Sequence, residues 1–173
     1  QTVNNENLNE NLSVQDFTYF DFFEEDLYNL CESGKNWFGE RYDITLNTSH
    51  LFQLPGTPIG TGHIRIQAAS ASNTTSLLQV SVNSSNIGNA SLPGISSPYL
   101  AAIANRSLTF TPTSKDLSIG ITYNKPTTTS SAYLDWIELE TPCTLTLRNG
   151  LTSFRNPSTV GNGNITRFII IGA

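Results

Sequence analysis

Apolar and polar residues alternate with a period of two along most of this chain, and that pattern predicts strands rather than helices. In GHIRIQAASAS, His63, Arg65 and Gln67 alternate with Ile64, Ile66 and Ala68, the arrangement of an antiparallel strand with one buried and one wet face. LLQVSVN sets Leu78, Val80 and Val82 on one face, and DLSIGITYN does the same with Leu117, Ile119, Ile121 and Tyr123. AYLDWIELE reads as a strand in which Trp136 shares a face with Leu134, while Tyr133, Asp135, Ile137 and Leu139 occupy the other. SHLFQL and NITRFIII read as further strands, His50 standing near the start of the first.

The segment FTYFDFF differs, because Phe17, Tyr19 and Asp21 fall on one face and Thr18, Phe20 and Phe22 on the other. A strand apolar on both faces is expected to be covered on both sides. The stretch EEDLYNLCESGKNWFGE that follows predicts one short helical turn before Ser33-Gly34, then an aromatic loop or strand around Trp37, Phe38 and Tyr42. Turn chemistry stands at Asn86 to Asn89, Pro93-Gly94, Pro98, Pro112 and Pro126. Asn149-Gly150, between Cys143–Arg148 and Leu151–Phe154, predicts a hairpin with a two-residue turn.

About ten short strands separated by such turns predict an all-β fold, a two-sheet antiparallel sandwich of the jelly-roll or immunoglobulin type. A chain of 173 residues suits one domain. Residues 1–12, poor in apolar side chains, read as a flexible linker, and 13–173 as a single β-sandwich domain. The chain is 38% apolar and 13% charged, roughly half the usual charged share of about 25%, with Ser, Thr and Asn supplying the polarity. A net charge of −5 and nine scattered Lys and Arg exclude a nucleic-acid binder, which needs clustered cations against phosphate. The longest purely aliphatic run, Ile169 to Ile171, is too short for a direct membrane span. The amino-terminal residues lack the basic, apolar, small order of a signal peptide, so either a signal has been removed or the chain is a fragment of a longer protein, and the fragment is the favoured reading.

Candidate chemistry is sparse. Cys31 and Cys143 suit either one disulfide or two buried thiols. A nucleophilic pair of Cys31 or Cys143 with His50 or His63 is formally available, but His63 falls on the polar face of its strand and His50 beside Thr48 and Ser49, both ordinary places for a solvated ring. No Cys or His pair has the short spacing of a structural zinc site. Asp21, Glu24, Glu25 and Asp26 could give oxygen ligands to calcium or a glycosidase carboxylate pair, although nothing resembles an EF-hand loop and a solvated charged turn is the ordinary reading. No catalytic, cofactor or metal residue is therefore assigned. Asn-X-Ser/Thr triplets occur at Asn11, Asn47, Asn73, Asn83, Asn89, Asn105 and Asn164, mostly accounted for by the abundance of these residues. Trp37, Phe38, Tyr42 and Trp136 are candidate contacts for a partner protein or for the apolar face of a sugar, with core filling as the competing role.

Four phrases, in order, carry a resemblance: SGKNWFGERYD, SHLFQLPG, AYLDWIELE and LTSFRNPSTVGNGNITRF. Together they resemble the region ahead of the peptidase domain in PorU-type sortases of the type IX secretion system, gingipain-like cysteine peptidases of Bacteroidetes. The likeness covers roughly residues 17–171. It implies a non-catalytic module of an exported, cell-surface protein of a Gram-negative bacterium, with the catalytic Cys and His outside this chain. It also implies the adjoining peptidase domain as a partner, with other secretion-system proteins or a surface polysaccharide as further ones. Leu134-Asp135-Trp136-Ile137-Glu138 is similar as well to the last strand of galactose-binding-like jelly rolls and carbohydrate-binding modules, which favours a jelly roll over an immunoglobulin-like sandwich and leaves a glycan-binding reading open.

Overall fold

A computed structural model describes residues 9–30, 35–147 and 153–172. Among these are eleven strands: β1 Leu12–Val14, β2 Asp16–Glu24, β3 Glu40–Tyr42, β4 Asn47–Gln53, β5 Gly62–Ala71, β6 Ser76–Val82, β7 Ser85–Leu92, β8 Ala102–Phe110, β9 Asp116–Asn124, β10 Ser131–Thr144 and β11 Thr166–Phe168. A single 3₁₀ turn covers Pro157–Thr159, capped by the Asn156 side chain, which accepts from the Ser158 amide. No helix among the described residues is long and apolar enough to cross a membrane.

The strands form two facing antiparallel sheets in a jelly-roll sandwich. One has five strands in the order β2-β10-β5-β8, with β3 also pairing β10, and the other has four in the order β4-β9-β6-β7. The chain switches sheet between β3 and β4, β4 and β5, β5 and β6, β7 and β8, β8 and β9, and β9 and β10. Such crossing makes each sheet depend on distant segments. A short parallel ladder of β1 with β11 closes one end, pairing Leu12 with Thr166 and Val14 with Phe168.

The period-two pattern explains the core. Ile64, Ile66 and Ala68 of β5, Leu78, Val80 and Val82 of β6, and Leu117, Ile119, Ile121 and Tyr123 of β9 all point between the sheets and are buried. β10 is the longest element and carries the one break in that rhythm. Its register with β5 shifts between Leu134 and Trp136, so Asp135 is an extra residue, a β-bulge. The bulge turns the strand's faces over: Leu134, Ile137 and Leu139 all reach the core, while Trp136 is left half-buried on the opposite face. The grouping of Trp136 with Leu134 expected from strict alternation is therefore wrong.

Three other expectations change. β2 buries only one face: it lies at a sheet edge with Phe17 buried, while Phe20 is 41% and Phe22 59% exposed. Residues 25–30 form no helix, and Tyr28 instead makes an antiparallel bridge with Phe38. The turn expected at Asn86–Asn89 sits earlier, at Asn83 and Ser84, whose φ values of 48° and 68° make a two-residue hairpin between β6 and β7. Asn83 holds that turn to β9, accepting from the Ser118 amide at 2.8 Å and donating to the Asp116 carbonyl at 3.1 Å. The Asn149-Gly150 turn lies outside the described residues. Its described flanks pair elsewhere, Cys143 with Phe17 in the sheet and Thr146 with Ile171. Of the expected linker, residues 1–8 likewise lie outside the described residues, and Leu12 opens β1.

Candidate functional site

The outer faces of the two sheets differ in chemistry, and the strand register shows why. On the four-stranded sheet, Ser49, Ser118, Gly120, Thr122, Gln79 and Ser81 face outward, all small or uncharged, with Leu51 the large apolar exception. On the five-stranded sheet, pairing sets three rows across the strands. Phe20 lies beside Glu140 and His63, Phe22 beside Glu138 and Arg65, and Glu24 beside Trp136 and Gln67. Arg65 Nε reaches Glu138 Oε2 at 2.7 Å, and Gln67 donates to Asp135 in the bulge. Burial raises the Asp135 carboxyl, the Gln67 hydrogen bond opposes this, and the nearby Asp26 charge adds to it, so the acid is held above its ordinary value.

Beyond those rows Tyr28 and Phe38, joined by their bridge, lie over the same face. Phe38 is buried there against Ala69 and Tyr133, its ring centroid 5.9 Å from that of Tyr133, and Tyr28 meets Tyr133 at the same 5.9 Å. Between this segment and residues 98–103 opens a cleft of about 300 Å³, lined by Leu30, Asn36, Phe38, Tyr99, Leu100 and Ile103 among others. Pro98, also in its wall, follows a cis peptide bond. Tyr99 is 70% exposed at the rim, and Trp37 is 42% exposed nearby in sequence to Phe38.

The aromatic candidates therefore separate. Trp37 is exposed and Trp136 half-buried, whereas Tyr42 is buried in the core between the sheets and Phe38 is buried with Ala69 and Tyr133 at the wall of the cleft. Phe20, Phe22, Leu27, Tyr99 and Leu100 are exposed apolar residues that the sequence reading did not single out. The period-two rule places Phe20 and Phe22 on one face, but it does not say which face is solvent.

His50 is not solvated. It is 7% exposed, its ring stacks on Phe23 with centroids 4.1 Å apart, and its Nε2 lies 3.1 Å from Glu40 Oε2. Tyr42 donates to the same carboxylate oxygen at 2.9 Å and pairs with Thr48 Oγ1 at 2.7 Å. This cluster ties β3, in the five-stranded sheet, to β4, in the other. Burial pushes the Glu40 carboxyl up, but the hydrogen bonds from His50 and Thr48, the His50 charge and the Tyr42 bond outweigh it and hold the acid below its ordinary value. Burial drives the Tyr42 hydroxyl strongly up.

Cys143 is a free, buried thiol whose Sγ lies 3.6 Å from the Thr141 carbonyl, and burial pushes its pKa up to about 11. A thiol so raised is a poor nucleophile at neutral pH. Cys31, the other half of the expected pair, lies outside the described residues. His63 is exposed on the outer sheet face, away from the core that holds Cys143. Asp21 and Glu24 project from opposite faces of β2, and among the described residues no three acidic, His or Cys side chains converge as a metal site. Asp21 instead accepts from the Tyr19 hydroxyl at 2.8 Å and from the Phe22 amide at 2.9 Å.

With that geometry in hand, comparison with known structures is informative about the fold. The chain matches the crystal structure of dimeric latent PorU from Porphyromonas gingivalis with a TM-score of 0.73 at 20% identity, over 93% of this chain. It spans only 16% of the length of that protein. It is also similar to the CBM36-1 domain of a multidomain xylanase from the hindgut metagenome of Trinervitermes trinervoides, with a TM-score of 0.49 and 9% identity over 70% of this chain and 95% of that one. A family 35 carbohydrate binding module from Clostridium thermocellum gives 0.45 and 8%, over 73% and 98% of the two chains. No protein-family model matches the chain, and no curated protein matches it in sequence. At 20% identity the PorU match speaks to the fold alone.

Proposed function

We propose that this chain is a non-catalytic β-sandwich module of a cell-surface, PorU-like sortase of the type IX secretion system. Its role in this reading is to give scaffold and protein contacts to a peptidase domain carried elsewhere in the same polypeptide. The observation that carries the reading is the PorU likeness, which runs along 93% of the chain. Two features support it: the buried, raised thiol of Cys143 and the concentration of exposed aromatics on one sheet face. Scattered single apolar residues are normal on a surface, whereas a grouped set marks an interaction site.

The test has two arms. The purified chain is expected to leave peptide substrates intact, and its removal from the parent polypeptide is expected to lower the melting temperature of the remaining peptidase region. Cleavage by the isolated chain that disappears in Cys143→Ala would overturn the non-catalytic reading. An unchanged melting temperature would overturn the scaffold role.

A second reading, a carbohydrate-binding module for a bacterial surface glycan, is favoured by the exposed Tyr99 lining the 300 Å³ cleft and by Trp37, exposed and between the cleft-lining Asn36 and Phe38 in sequence. Flat rings of this kind suit the apolar side of a pyranose. On a glycan array, binding lost in Trp37→Ala and Tyr99→Ala is the result expected of that reading, and an array with no signal removes it.

A further inference from the structure

We propose that the outer face of the five-stranded sheet, along β2 and β10, docks a basic protein segment that carries apolar side chains between its cations. The inference rests on the interaction-module reading above and names the face and the partner's chemistry. The first ground is the asymmetry of the sandwich. The opposite sheet's outer face has no charged residue in its central rows, whereas this one interleaves exposed phenyl rings with carboxylates.

The second ground is charge complementarity. Three carboxylates, Glu24, Glu138 and Glu140, stand in adjacent rows beside Phe20 and Phe22. The basic side chain facing them is Arg65, and it is already engaged by Glu138 at 2.7 Å. Glu24 and Glu140 have no cationic partner among the described residues, and the histidine opposite Glu140, His63, is not paired with it within ion-pair distance. A lysine or arginine laid across this face would satisfy both demands at once. Its aliphatic stem covers a phenyl ring while its head reaches a carboxylate, and cations are drawn to ring faces as well. An anionic polysaccharide or a nucleic acid meets repulsion here.

The experiment is an NMR titration of the isotopically labelled chain with a short peptide alternating Lys and Leu, an alternating Glu–Leu peptide, and xylotriose as a neutral sugar. The Lys–Leu peptide is expected to shift resonances of β2, β10 and β5, with affinity falling about tenfold or more between low and high salt as screening removes the attraction. Phe20→Ser, at an exposed position, and Glu140→Gln, at a half-buried one, are each expected to weaken binding several-fold with the rest of the spectrum unchanged. The proposal is overturned if the shifts fall on the four-stranded sheet or spread evenly over the protein. Equal binding of the Glu–Leu peptide, xylotriose binding to this face in place of the basic peptide, or full affinity in both variants overturns it too. Any of these would leave the scaffold role standing, because that is judged by the stability of the attached peptidase region.

Discussion

Removing the Glu40 side chain probes the cluster that fastens the two sheets along one edge. Oε2 of Glu40 accepts from the Tyr42 hydroxyl at 2.9 Å and lies 3.1 Å from His50 Nε2. Each hydrogen bond to the ionised carboxylate contributes about 1.5 kcal/mol, roughly 3 kcal/mol together. The carboxylate side chain is 21% exposed, so solvent screening trims the loss in Glu40→Ala to about 2 kcal/mol. For a chain of this size that is a fall of about 4–8 °C in melting temperature. The pH dependence follows from the direction of the Glu40 shift. Its folded value lies below the ordinary 4.5, so its contribution is fully present above that pH and is lost as pH falls through the lowered folded value. Urea unfolding followed by far-UV circular dichroism should therefore show a gap between wild type and Glu40→Ala that is constant near neutrality and narrows in acid. A gap of the same size on both sides of the titration would refute the ionic account, and no gap at pH 7 would refute the cluster's structural role.

Three further outcomes follow from the packing. Tyr123 buries its hydroxyl with no hydrogen-bond partner among the described residues, so Tyr123→Phe should leave thermal stability unchanged or raise it by about 1 kcal/mol, and a clear loss would reveal a hidden partner. A Cβ at Gly62 would stand 2.6 and 2.7 Å from the Phe110 ring, so Gly62→Ala should cost about 1–3 kcal/mol in chemical denaturation, while Ile44→Ser, at a position 95% exposed, should cost under about 0.5 kcal/mol. Cys143 should resist a thiol reagent at pH 8 in the native protein and react at once in denaturant, and rapid native labelling would contradict its burial and raised pKa.

The core was legible in the sequence because burial on one face enforces a strict period of two, which β6 and β9 keep throughout and β5 keeps from Gly62 to Ala68. Where the sequence misled, a tertiary fact intervened. One extra residue at Asp135 turned Trp136 outward, and alternation alone carries no sign of a bulge. Phe20 and Phe22 look like core residues because of their composition, yet β2 is an edge strand whose second face nothing covers among the described residues. His50 looks like a surface histidine beside Thr48 and Ser49, and only the approach of β2 and β3 from the other sheet buries it against Phe23 and Glu40. The apolar cleft was hidden for the same reason. Its walls come from Leu30, Asn36 and Phe38 on one side and from Pro98 to Ala101 and Ile103 on the other, which no local pattern connects.

β10 also fixes when the molecule can exist during synthesis. It is the partner of β2, β3 and β5, and its residues 131–144 emerge from the ribosome long after β2 at 16–24. Until then the aromatic strand from Phe17 to Phe23 has no neighbour to pair with, while β6 and β7 can already close their hairpin. Non-local pairing of this kind is slow, and an unpaired aromatic strand is prone to associate with other chains. A nascent chain halted before residue 131 should thus be sticky and sensitive to proteases, and release of β10 should convert it in one step to a compact form.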